Sequence, residues 1–116
     1  MNLIYVASPY RGDVETNLAF AKECCNFVLE QGCNFFCPHL MYTQVLNDDI
    51  AEERELGLKL GQDMLLKCDE LWCFGEVITE GMKAEIEYAK GNGIAIRQIA
   101  DISKEMQSQA SEPCLC

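Results

Sequence analysis

The chain is poor in basic residues: nine Lys and Arg stand against nineteen Asp and Glu, for a formal net charge of −10. A field of that sign repels a nucleic-acid backbone or an anionic membrane at long range, so neither is expected as a partner. A small anion held at close quarters by a local arginine or a helix N-terminus stays open. No apolar run approaches the roughly 20 residues needed to cross a bilayer. The chain also enters an apolar segment directly after Met1-Asn2, without a basic leader, which reads as a cytoplasmic protein.

Histidine occurs once, as His39. Without companions at ligand spacing it makes no metal site, and with no G-x-S-x-G and no histidine base beside a cysteine, Ser-His or Cys-His nucleophilic catalysis loses support. The sequence contains neither G-x-G-x-x-G nor G-x-x-x-x-G-K-S/T, which removes the usual grounds for nicotinamide redox chemistry and ATP hydrolysis. No cofactor is expected. Cysteine, by contrast, is plentiful at eight residues, but no paired CxxC ladder exists: Cys24 and Cys25 are adjacent, Cys33 and Cys37 lie four apart, and Cys68, Cys73, Cys114 and Cys116 follow no ligand spacing. Most fall in apolar runs and read as reduced core residues.

What is present is an alternation of short apolar runs with helical patterns. Leu3-Ile4-Tyr5-Val6-Ala7, stopped by Ser8-Pro9, reads as a buried parallel strand. Asp13 caps a helix to about residue 31, with Val14, Leu18, Ala21, Cys25 and Val28 on one stripe and Gly32 as its stop. Asn34-Phe35-Phe36-Cys37 gives a second strand, and residues 38–50 read as an irregular polar loop. A long helix follows over residues 51–67, its apolar stripe set by Leu56, Leu60 and Met64. Leu71-Trp72-Cys73-Phe74 is a third strand closed by Gly75, Thr79 caps a helix to about residue 90, and Ile94-Ala95-Ile96 is a fourth strand. Residues 102–106 form a short helix. The pattern predicts an α/β fold, a three-layer Rossmann-like or flavodoxin-like parallel sheet of about four to five strands with helices on both faces. One domain over residues 1–107 and a flexible tail over residues 108–116 complete it.

Ligands of such sheets bind beyond the carboxyl ends of the strands. Ala7, Ser8, Pro9, Tyr10 and Arg11, then His39, then Gly75, Thr79, Glu80, Gly81 and Met82 are expected to converge there. Glu85 is the sharpest anomaly: the helix opened by Thr79 buries Met82, Ile86 and Ala89, and position 85 shares their stripe. An inward carboxylate needs hydrogen-bond partners, a raised pKa or a cavity. The alternative is a helix rotated by ~20–30°, with Glu85 at the waterline. Asp63 poses a similar, weaker case against an ordinary solvated helix face. Tyr5, central in the first strand, has a hydroxyl that a carboxylate would satisfy, or else backbone or water.

Four segments carry a family resemblance: Ile4-Tyr5-Val6-Ala7-Ser8-Pro9-Tyr10, Pro38-His39-Leu40, Cys68-Asp69-Glu70-Leu71-Trp72 and Thr79-Glu80-Gly81-Met82-Lys83-Ala84-Glu85-Ile86-Glu87-Tyr88-Ala89. Together they resemble the nucleoside 2-deoxyribosyltransferase-like proteins, in particular the short bacterial and phage members, over residues 3–98. The resemblance implies a retaining N-glycosyl transfer or hydrolysis on a deoxynucleoside or its monophosphate, with Glu85 attacking the anomeric carbon, Tyr5 holding it and Asp63 acting as the acid for the departing base. It implies that Ser8 and Arg11 hold a 5′-phosphate, that Thr79 meets a sugar hydroxyl, and that the chain pairs as a homodimer or higher homo-oligomer. One departure stands out: the leading acid of the family falls near Gly61, two residues before Asp63. The competing expectation is a non-catalytic nucleotide-binding or sensor module of the same fold, and a weaker one is a scaffold whose acidic surface meets a protein.

Overall fold

The computed structural model describes the backbone of residues 1–111 and the side chains of residues 1–106. The elements run β1 (Leu3–Ala7), α1 (Val14–Glu30), β2 (Asn34–Phe36), α2 (Pro38–Met41), α3 (Ala51–Leu65), β3 (Glu70–Phe74), α4 (Glu80–Gly91), β4 (Ala95–Ile99) and α5 (Ile102–Ser111). The four strands pair in parallel in the order β2-β1-β3-β4. This is an α/β fold with a four-stranded parallel sheet.

Two helical layers cover the sheet, which is why its central strands are apolar without alternation. Successive side chains point to opposite faces. Ile4 and Val6 of β1 and Trp72 and Phe74 of β3 meet Ala21, Cys24, Phe27 and Val28 of α1, with Ile102 of α5 packed beside them. Tyr5, Ala7, Leu71 and Cys73 face the other way and meet Leu65 of α3 and Met82 and Ala89 of α4. Phe27 is 1% exposed and sets its ring edge-on to Phe74 at 6.1 Å; its burial alone contributes roughly 1.5–3 kcal/mol. Arg97 of β4 lays its guanidinium 4.6 Å from the Trp72 ring centroid and pairs with Glu105 of α5 at 3.3 Å, so a charge seals that layer by cation–π contact.

The strand order fixes where a crevice forms. From β1 the chain crosses to β2 on one side, then returns past β1 to lay β3 on its other side. Connections leaving β1 and β3 diverge, and a gap opens beyond their carboxyl ends.

Several boundaries differ from expectation. The stretch after β2 is not irregular: Pro38 opens the short helix α2, a 3-10 turn follows at Tyr42–Gln44, and the Thr43 hydroxyl donates to the His39 carbonyl. Proline at a first helical position is preorganised for that start. β4 covers Ala95–Ile99, and α5 runs on to Ser111, since no glycine or proline interrupts it. The expected tail over residues 108–116 therefore begins inside a helix, and its part beyond Ser111 lies outside the described residues.

The largest difference is the rotation of α3. Leu56 and Leu58 are 45% and 59% exposed, and the helix buries only Gly61 and Leu65. Among the described residues no helix is long and apolar enough to cross a membrane. Cys24, Cys25, Cys33, Cys37, Cys68 and Cys73 are free thiols, most of them buried. Cys114 and Cys116 lie outside the described residues.

Candidate functional site

At the gap beyond β1 and β3 lies a cavity of about 550 Å³, lined from β1 by Tyr5, from the following loop by Ser8, Tyr10 and Arg11, from α2 by His39, and from α3 and α4. That is within the range of small-molecule sites. The hollow exists because α3 presents Gly57 and Gly61 to it. These residues are one turn apart, so two successive rungs of the helix face carry no side chain.

α4 supplies the charged group. Thr79 caps the helix, its Oγ1 accepting from the Met82 N–H at 3.2 Å. This start sets the helix phase: Met82 and Ala89 go into the core at 1% and 0% exposure, and Glu85, between them, projects into the cavity. Glu85 is part-buried, and its Oε2 accepts a hydrogen bond from the Tyr5 hydroxyl. Burial pushes the Glu85 carboxyl from 4.5 up to about 7, and the Tyr5 bond pulls it back down. Tyr5 is itself pushed well above its usual value, by burial first and then by the charge of Glu85. The pair thus joins a desolvated acid to a phenol that holds its proton.

Tyr5 packs its ring on Phe36 at 5.6 Å, which fixes the hydroxyl over the sheet edge. Gly61 of α3 faces that hydroxyl from above: a β-carbon built there would lie 3.3 Å from Tyr5 Oη. Ser8, 1% exposed, also lines the cavity, and its Oγ has no hydrogen-bond partner among the described residues. A buried hydroxyl left so costs about 1–3 kcal/mol unless a ligand or water satisfies it. His39 stacks on Tyr10 with ring centroids 5.0 Å apart. Burial pushes its pKa below the usual value, against the opposing effects of its bond to the Ser8 carbonyl and of Asp48.

Most of the expected site residues meet here: Tyr5, Ser8, Tyr10, Arg11, His39, Thr79, Glu80, Gly81, Met82 and Glu85 all line the cavity. Asp63 does not. It is exposed on α3, and since each residue turns a helix by about 100°, a position two beyond the inward Gly61 points nearly opposite. Ala7 packs into the α3–α4 side of the core, and Pro9 is outside the lining set. Gly75 adopts φ +107 and lies against Phe20 of α1 instead of the cavity, serving the turn that leaves β3. Arg11 reaches the cavity, but Asp48 holds its guanidinium at 2.9 Å and 3.1 Å.

The sequence reading missed Tyr42, Asp48, Arg54, Gly57, Gly61 and Tyr88, all of which line the cavity. Gly57 and Gly61 carried a signal: two glycines at i, i+4 inside a helix call for a reason, since each weakens the helix by about 1 kcal/mol relative to alanine. Among the described residues no three His, Cys, Asp or Glu side chains stand close enough to hold a metal ion.

The 2-deoxyribosyltransferase from Bacillus psychrosaccharolyticus superposes on this fold with a TM-score of 0.68 at 17% identity, covering 83% of this chain and 70% of that one. It is described as a biocatalyst for the synthesis of nucleosides. At that identity the likeness is one of fold. No curated protein matches by sequence. A family model covers residues 2–99, the whole of the sheet and the cavity, and the chain belongs to the family described as Domain of unknown function (DUF7768).

Proposed function

We propose that the protein cleaves or transfers the N-glycosidic bond of a deoxynucleoside or deoxynucleoside monophosphate, with Glu85 as nucleophile. The observation that carries this reading is the Glu85 carboxylate, turned into a cavity at the sheet edge and held there by the Tyr5 hydroxyl. An ionised carboxylate so placed can attack an anomeric carbon, or stabilise the oxocarbenium-like centre left by a departing base. The glycosyl intermediate then passes to water or to a second base. The Tyr5 bond favours the charged form against the desolvation that opposes it. Ser8 offers an unclaimed hydroxyl to the substrate. The fold shared with a 2-deoxyribosyltransferase supports the same reading.

The test is base release. A panel of deoxynucleosides and their 5′-monophosphates, including nucleosides with alkylated bases, is incubated with and without an acceptor base and followed by chromatography. Wild type is expected to release or exchange base and Glu85→Gln is not; equal inertness of both across the whole panel refutes the enzyme. A second reading, a nucleotide-binding module without turnover, draws on one observation: Asp63 is exposed on the far side of α3. Ligand-induced thermal stabilisation without product favours the module.

A further inference from the structure

Glu85 is the one acid of the cavity lining held by the Tyr5 hydroxyl, and each of the other lining acids among the described residues is engaged or exposed elsewhere. A retaining mechanism on a neutral base wants a second carboxyl roughly 5 Å from the first. Besides Glu85, the cavity is lined by three acids among the described residues: Asp48, Glu53 and Glu80. Asp48 holds the Arg11 guanidinium at 2.9 Å. Glu53 accepts from the Asn47 N–H at 3.2 Å and sits eight residues before Gly61 on α3, about 12 Å along that helix. Glu80 opens α4 with its side chain 93% exposed and facing Lys83 at 3.4 Å. The place directly over the Tyr5 hydroxyl is taken by Gly61, which has no side chain to offer. The Tyr5 proton is committed to Glu85, and the His39 ring is stacked on Tyr10.

The rest of the lining suits a cation. Its four carboxylates outnumber its two guanidiniums, Arg11 and Arg54, and Tyr10, Tyr42 and Tyr88 are among its lining residues, side chains of a kind that attract a flat positive ring by cation–π interaction.

The geometry points to a substrate whose departing base already carries a positive charge, such as an N7-alkylated purine or a pyridinium nucleoside. This rests on the glycosyl reading above and narrows it. In the step, a Glu85 carboxylate oxygen forms a bond to the anomeric carbon as the C–N bond breaks. The C–N electron pair goes to the ring nitrogen and neutralises its charge, so no proton is required. Water then attacks the same carbon, displaces Glu85 and gives its proton to solvent, leaving the free sugar and the carboxylate.

The experiment compares 7-methyl-2′-deoxyguanosine with 2′-deoxyguanosine, which differ by one methyl group and one charge. Base release by wild type and by Glu85→Gln is measured from pH 5 to 9, and each rate is divided by the spontaneous rate of the same nucleoside in the same buffer. The absence of a general acid withholds about 10²–10⁴-fold from the neutral substrate. Wild type is expected to accelerate the methylated nucleoside at least 100-fold more than 2′-deoxyguanosine. Its pH profile should show a single rising limb. A larger acceleration of 2′-deoxyguanosine, lost in Glu85→Gln, would mean that a proton donor operates; the inference then falls and the glycosyl reading stands. If wild type exceeds Glu85→Gln on neither nucleoside, this inference falls, and the panel of deoxynucleosides and 5′-monophosphates above decides the glycosyl reading separately.

Discussion

Replacing Glu85 by Gln makes a stability prediction that needs no substrate. Burial lifts the carboxyl from 4.5 to about 7, so the folded protein binds that proton more tightly than the unfolded chain does. The stabilisation linked to it is fully present below about pH 4.5 and is lost as pH rises through about 7. At roughly 1.4 kcal/mol for each tenfold change in proton affinity, ionising Glu85 in the folded state costs about 3 kcal/mol. The cavity mouth admits water to the part-buried carboxyl, which reduces this to roughly 1.5 kcal/mol. Glutamine keeps an oxygen for the Tyr5 hydroxyl and carries no charge. Glu85→Gln should therefore be more stable than wild type at pH 8 by roughly 1.5 kcal/mol, about 5–10 °C in melting temperature for a chain of this size. By pH 5 most of that advantage should be gone. Urea and thermal unfolding of both proteins at the two pH values, read by far-UV circular dichroism, measures it. A variant less stable than wild type at pH 8, or a gap that does not change with pH, refutes the inward, desolvated carboxylate.

Tyr5→Phe removes the bond that lowers the Glu85 pKa, so the rising limb of the pH–rate profile should move above its wild-type midpoint near 7, and the maximal rate should fall. An unshifted limb counts against the pair. Thr79→Ala strips the cap from α4 and should cost about 1 kcal/mol in denaturant unfolding; Thr79→Ser should restore most of it. Asp63→Asn alters an exposed group away from the cavity and should leave base release within twofold of wild type, whereas a large loss would reinstate Asp63 as the acid.

The legible parts of the molecule were those in which one local pattern decides the answer. Apolar runs without alternation specified β1 and β3 as strands covered on both faces. In α4, Thr79 as a capping residue three places before Met82 set the helix phase, and that phase alone turned Glu85 inward. α3 was misread because its leucines give no such decision. Leu56, Leu60 and Met64 make a plausible stripe, yet the helix turns Gly57, Gly61 and Leu65 inward. A helix spanning a hollow has weak hydrophobic demand on its inner face, so apolar periodicity carries little information about its rotation. The same uncertainty misplaced Asp63, since two positions on a helix are nearly half a revolution. The segment after β2 was missed for a different reason: a four-residue helix is too short for any periodicity to register.

Tyr5 and Glu85 make most sense as a unit placed against the interests of the core. The face they occupy is otherwise built from Phe36, Leu65, Leu71 and Met82, and an apolar pair of similar volume would fill it without desolvating a charge. Helix α3 adds to the cost by meeting that face with Gly61, which sets backbone in place of a side chain against the Tyr5 hydroxyl. Each feature alone weakens the domain, and each has the same consequence: a carboxylate, its hydrogen-bond partner and an empty volume stand together at the point where the strand connections diverge. A packing defect would be expected to collapse around the hole or to expel the charge to solvent. Here the sheet holds the phenol from below through β1, the cap at Thr79 holds the carboxylate through α4, and two glycines hold the volume open through α3. Three separate elements thus maintain one arrangement, the one that the proposal of Glu85 as nucleophile requires.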